Sequence, residues 1–248
     1  MSIWSDLTRD EVGAAARSGA VAVLPVGAVE QHGPHLATGA DAVLAEHAAK
    51  AAVERTGDVM LPVLAYGCSL GHTEHWPGTL SLSVSTLTSM VSDIGRWVHS
   101  SGFTKLIVVN SHATNGPPCQ SALLTLRYEV PSLRTRFVSL YDITAQAAAG
   151  YLADADDPHA NDAETSMLLH LAPELVHSDR AVDEADRSVG RVLTYPMPEV
   201  TLSGVVGRPT EASAVTGKAL FGDIVEAITD LLIRARAETD PLPHGGEQ

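Results

Sequence analysis

Cationic side chains are scarce in this sequence: 16 Lys+Arg stand against 30 Asp+Glu in 248 residues, a formal net charge of −14. So acidic a chain, with no Lys/Arg cluster, repels a phosphate backbone, which argues against nucleic acid as a partner. Cysteine is nearly missing too. Cys68 and Cys119 form no C-x-x-C pair and cannot build a disulfide framework, so a reducing, cytoplasmic setting fits. Both read as small buried residues. No long apolar run exists either: Ala20–Val26 is strand-sized, far below the roughly 20 residues of a membrane span. The opening MSIWSDLTRDEV carries acids where a signal peptide has basic residues, and no membrane partner is expected. Aromatics are only 4% of residues, so Ala, Val and Leu must build the core. P-loop, G-x-G-x-x-G, G-x-S-x-G and H-E-x-x-H patterns are all missing.

What is present alternates. Ala20–Gly27 and Lys105–Asn110 are short apolar runs, the pattern of strands buried on both faces. Val59–Ala65, interrupted by Pro62, and Thr135–Leu140 read as further strands. Helical spacing of apolar residues predicts helices over Asp41–Arg55, Ser85–Ser101, Pro118–Tyr128, Asp162–Leu171 and Glu211–Ala237. No internal repeat or linker divides the chain. The order predicts one three-layer α/β/α domain with a mostly parallel sheet over residues 1–238, and a disordered Pro/Gly-rich tail over 239–248. Chemistry in such sheets gathers at the carboxyl ends of the strands.

Two strand ends are dense in metal-ligand types. Glu30, His32, His35 and Asp41 follow the first strand within twelve residues, and carboxylates with imidazoles are the donors of Zn²⁺, Mn²⁺ and Fe²⁺ sites. Asp41 alternatively caps the helix behind it. His112 follows the Lys105–Asn110 strand, flanked by Asn110 and Asn115, which either orient it or bind substrate. A third segment carries His159 in a loop and Glu164 in the first turn of a helix, with Asp162 read as its N-cap. A fourth, Gly71–Thr79, holds His72, His75 and Trp76, and the Trp76-Pro77-Gly78 turn offers a pocket wall.

These stretches together carry a resemblance. VLPVGAVEQHGPHLATGAD resembles the signature of the creatininase (creatinine amidohydrolase) family, P-[VL]-G-x-x-E-Q-H-G-P-H-L with a following Asp. His75-Trp76-Pro77-Gly78-Thr79 is similar to its H-F-P-G-T, Val109–His112 to its V-N-G-H, His159–Ser166 to its H-x-x-x-x-E-T-S, and Gly204–Thr210 to a late G-x-x-G-x-P-T stretch. The resemblance implies an amidohydrolase with two divalent metal ions (Zn, Mn or Fe), assembled as a homohexamer. By position it makes Glu30, His32, Asp41 and His112 metal ligands, with Asp41 as the bridge. His159 matches a catalytic histidine, and His75, Trp76, Asn110 and Asn115 are expected at the substrate.

One departure matters. Creatininases proper read N-G-H-Y-E-N and use that Glu as a ligand; here the position is Thr114, so Glu164 is assigned in its place. Ser111 also replaces the usual Gly, and no tryptophan near His159 matches those that enclose creatinine. The pattern DDPHANDAETSMLLHLAPELV is closest to the branch that trims the mycofactocin precursor peptide. The expected reaction is hydrolysis of an amide C–N bond in a small amide or short peptide by a metal-activated water. The alternatives are peptide trimming of the mycofactocin type and a non-catalytic ligand-binding member.

Overall fold

Alternate residues of two strands decide the layering. In the computed structural model, which describes residues 2–242, β2 (Ala22–Val26) and β4 (Lys105–Asn110) lie side by side in parallel. Val23, Ile107 and Val109 face one apolar core, while Ala22, Leu24, Val26, Leu106 and Val108 face a second on the other side. A strand with neighbours on both faces needs apolar residues at every position, which is why both runs are unbroken. β1 (Ser2–Ile3), β3 (Val59–Met60) and β5 (Arg134–Ser139) complete a parallel sheet in the order β1-β3-β2-β4-β5.

The first core is covered by α2 (Ala40–Thr56), α6 (Asp162–Leu171) and α8 (Ala214–Ala237). α2 presents Ala45, Ala48, Ala49 and Ala52, all fully buried, so its backbone rides close to the sheet. The second core is covered by α1 (Arg9–Arg17), α3 (Val84–Ser100) and α4 (Gly116–Glu129). α5 (Ala145–Tyr151) and the single turn α7 (Met197–Val200) finish the helices of the described residues. The α/β/α reading holds, with every strand pair parallel.

Four details depart from the sequence reading. The strand expected over Val59–Ala65 is two residues long. Pro62 has no N–H to donate, and pairing resumes only at Leu64, whose N–H donates to the Pro25 carbonyl (2.9 Å). α1 is a helix that the apolar spacing does not predict, although Thr8 and Glu11 form a capping box at its start. The N-cap of α6 is Asn161, which accepts from Glu164 N–H (3.2 Å); the Asp162 carboxylate instead takes the Ser166 hydroxyl (2.9 Å). Of the expected disordered tail, residues 243–248 lie outside the described ones, and Asp240 pairs with Arg134 at 2.7 Å.

α6 and α8 approach so closely that Gly217 has no room for a side chain: a Cβ there would lie 1.8 Å from the Ser166 carbonyl oxygen. Gly217→Ala is therefore expected to destabilise the fold by about 1–3 kcal/mol through overpacking. In a domain of this size that lowers Tm by roughly 2–4 °C per kcal/mol, read by thermal melting. An unchanged Tm would show that the helix pair slides apart at no cost.

Candidate metal centre

The site forms where β2 and β4 end together. Val26 pairs with Asn110, so the segments leaving both strands emerge side by side. Gly27 lets the first turn of α2 descend onto this point, since a Cβ there would sit 2.4 Å from Ala42 Cα. That approach delivers Asp41 beside Glu30 and His32, so Asp41 is not a cap: the N-cap position is Gly39. The Ser111 hydroxyl, where the family pattern has Gly, donates to the Asp41 carbonyl (2.6 Å) and pins the turn to the end of β4.

Glu30, His32, Asp41, His112, His159 and Glu164 all meet here, and all are buried. His112 places Nε2 3.2 Å from Glu30 Oε2 and Nδ1 3.3 Å from Asp41 Oδ2. His32 Nδ1 lies 3.1 Å from the Glu30 carbonyl, which aims Nε2 at Asp41 Oδ1, 3.5 Å away. His159 Nδ1 is 3.5 Å from Glu30 Oε1. Glu164 accepts the Ala160 N–H at 2.8 Å. Ligand atoms of Glu30–His32–Asp41, of His32–His159–Glu164 and of Glu30–His72–His159 lie within 4.8 Å of one another.

A cation fits this arrangement. Both Glu30 oxygens, Asp41 Oδ2 and His32 Nε2 are buried without a hydrogen-bond partner, a costly state unless something positive joins them. Two donors sharing an ion at about 2.1 Å stand roughly 3.0–3.4 Å apart for octahedral to tetrahedral angles, and the contacts above fall in or near that range. Protonation tells the same story. Burial alone would lower the His32 imidazole, but Asp41, Glu164 and Glu30 outweigh it and raise it to about 10. Burial raises Glu164 to about 7, with His32 opposing and Asp41 adding. Glu30 is also raised, chiefly by burial. For Asp41 burial acts upward, yet His32 and His112 prevail and hold it low. Metal binding must displace such protons.

A family model described as creatinine amidohydrolase matches residues 5–232. The chain belongs to the creatininase family. It is 30% identical over 230 residues to a mycofactocin precursor peptide peptidase of Mycolicibacterium smegmatis, covering 89% of this chain and 87% of the relative. It is 31% identical over 230 residues to a creatinine amidohydrolase of Pseudomonas putida, covering 86% and 88%. A solved structure described as "Creatininase Mn" superposes with a TM-score of 0.84 at 31% identity, covering 94% of this chain and 98% of that one. This creatininase-family member is accordingly an amidohydrolase, an enzyme acting on C–N bonds.

Not every expected residue reaches the centre. Asn110 and Asn115 are fully buried and their amides are committed to the fold. Asn110 donates to the His112 carbonyl (2.7 Å) and to Ser139 (3.0 Å). Asn115 donates to the Gly27 carbonyl (2.9 Å) and accepts from Cys68 N–H (2.8 Å). They set the backbone that carries His112, and neither has a free group for substrate. His75 is exposed, its ring packed against Trp76 with centroids 4.6 Å apart, and neither belongs to the donor groups. The same segment supplies His72 instead: a short turn over Leu70–His72 buries the ring and sets Nδ1 3.1 Å from Glu30 Oε1. Burial, then His112 and His32, lower His72 to about 3. His35 is buried but stands aside, with Nε2 2.9 Å from the Thr165 hydroxyl. Thr114 spends its hydroxyl on the Cys68 carbonyl and lies 2.7 Å from His112 Nε2.

His159 hangs on loops, and two carboxylates secure them. Its backbone pairs both ways with Val206 (3.0 and 2.8 Å). Asp154 accepts from the Asn161 side chain (2.7 Å), Asp162 N–H (3.1 Å) and Arg208 N–H (2.6 Å). Glu184 accepts from Leu202 N–H (2.7 Å), Ser203 N–H (2.9 Å) and the Ser203 hydroxyl (2.5 Å), while its backbone pairs with Gly207. That pinch closes the base of an excursion over residues 185–201, where Val189, Val192 and Leu193 are exposed.

Proposed function

We propose that this amidohydrolase cleaves the amide bond of a short peptide, ahead of creatinine itself, at a centre of two divalent cations. The observation that carries the reading is the set of buried, partnerless donor atoms on Glu30, His32 and Asp41, with His112, His159 and Glu164 around them. Glu30, His32, Asp41 and His112 would hold the cations, Asp41 between them because its two oxygens face different imidazoles. Glu164 is the buried carboxylate that offsets Thr114. Such cations, whether Mn, Zn or Fe, supply a lowered pKa for water and polarisation of the amide carbonyl. His159 handles the proton: it takes one from the attacking water and passes it to the leaving nitrogen, which departs poorly as an anion. Burial, then His32 and His72, depress His159 well below the usual range, so it begins the cycle neutral.

A peptide is favoured over creatinine because no tryptophan in the sequence around His159 matches those that enclose creatinine. Trp4 packs on Phe103 and Trp97 is exposed on α3, so neither lies beside His159, and the third tryptophan, Trp76, belongs to the loop that carries His72. Overall identity does not separate the two substrates, at 30% to a mycofactocin precursor peptide peptidase and 31% to a creatinine amidohydrolase. No helix of the described residues is long and apolar enough to cross a membrane. Assembly as a homo-oligomer, a hexamer by resemblance, in the cytoplasm belongs to the same proposal.

The test is metal analysis of protein purified without chelator, followed by assays on a short peptide and on creatinine. About two equivalents per chain are expected, with peptide cleavage lost on chelation and restored by Mn or Zn. Fewer than one equivalent, with no turnover of either substrate, would replace this reading with the non-catalytic one.

A further inference from the structure

Gln31 sits among the donors without offering one, and its amide has a defined orientation. The Gly33 N–H donates to Oε1 (2.9 Å), so the other arm is the NH₂ group. That nitrogen lies 3.1 Å from His72 Nδ1, 3.1 Å from His159 Nε2 and 3.2 Å from the Gly204 carbonyl oxygen. His159 Nε2 has a second neighbour, the main-chain oxygen of Gln31 itself, at 2.9 Å.

Counting protons around the Gln31 amide and carbonyl favours one arrangement. If His159 carries its proton on Nε2, that proton goes to the Gln31 carbonyl. The two amide protons then go to Gly204 and to His72 Nδ1, so these groups are all satisfied and Glu30 Oε1 is left for a cation. If His159 Nε2 were bare, it would take an amide proton, leaving either His72 or Gly204 without one and the buried Gln31 carbonyl without its donor. Unpaired buried groups cost about 1–3 kcal/mol each.

We propose that Gln31 is a positioning residue for the metal centre: its carbonyl and its amide hold His159 and His72 as Nε2–H tautomers, so that each turns an unprotonated Nδ1 toward Glu30. The distances from those Nδ1 atoms to Glu30 Oε1 are 3.5 and 3.1 Å. A proton on His72 Nδ1 would instead be donated to Glu30 Oε1 and occupy the oxygen that faces a cation. For His159 the same assignment makes Nδ1 the atom that accepts the proton. The inference rests on the reading of this cluster as the catalytic centre.

The experiment is long-range ¹H–¹⁵N NMR on histidine-labelled, metal-free protein near neutral pH, on the wild type and on Gln31→Glu. A carboxyl group carries at most one proton where the amide carries two, so the variant cannot serve both Gly204 and His72. Wild type should show Nε2–H tautomers for both rings. In Gln31→Glu, His72 should switch to Nδ1–H with His159 unchanged. A wild-type Nδ1–H form of either ring overturns the proposal, as does a folded Gln31→Glu with His72 unaltered. If the variant does not fold, the wild-type spectrum alone decides. Correct tautomers in a protein that binds cations but cleaves no amide would sink the hydrolytic reading and uphold this assignment.

Discussion

Asp41→Ala is expected to empty the centre and stop turnover. Asp41 is buried, faces His32 with one oxygen and His112 with the other, and is the carboxylate both cations would share. Its loss removes several kcal/mol of charge stabilisation from the reacting carbonyl and water. At about 1.4 kcal/mol per factor of ten, kcat should drop by more than about 10³-fold. Metal content measured by mass spectrometry should fall in parallel. Asp41→Asn separates charge from shape, keeping the volume and losing the anion, and should behave almost as badly. A variant that kept full metal content would remove Asp41 from the ligand set.

His159→Ala should give the opposite pattern. Metal content stays near the wild-type level, while kcat falls by about 10²–10⁴-fold, the range for loss of a positioned proton carrier. KM should move little, because the lost contact matters in bond breaking. His159 also belongs to two of the donor groups, so the metal measurement is essential. Near-normal kcat overturns its proton role; loss of metal together with kcat would make it a ligand instead.

How much of this was legible follows from what kind of information each residue carries. The uninterrupted apolar runs of β2 and β4 are a local pattern, and they located the sheet, its parallel sense and the strand ends where Glu30, His32 and His112 appear. The order β1-β3-β2-β4-β5 is set by long-range packing and leaves no such trace. Chemical type alone misplaced Asn110 and Asn115: an amide suits substrate binding and backbone bracing equally, and only burial decides. His72 and His75 lie three residues apart in one polar loop. Which of them turns inward depends on a short turn and on Glu74 with φ +70°, a conformation without an apolar period to announce it. α1 has only Val12 buried, so its amphipathic stripe is too thin to register, although its capping box was there to be read.

The pinch at Glu184 divides the excursion into an exposed tip and a base that reaches the centre. Asp154 and Val206 fasten His159 below that point, while the far end of the excursion, α7, packs on the Leu70–His72 turn that carries His72. Exchanges at the exposed Val189, Val192 and Leu193 are therefore expected to spare the proton carrier, whereas changes in α7 reach it through His72.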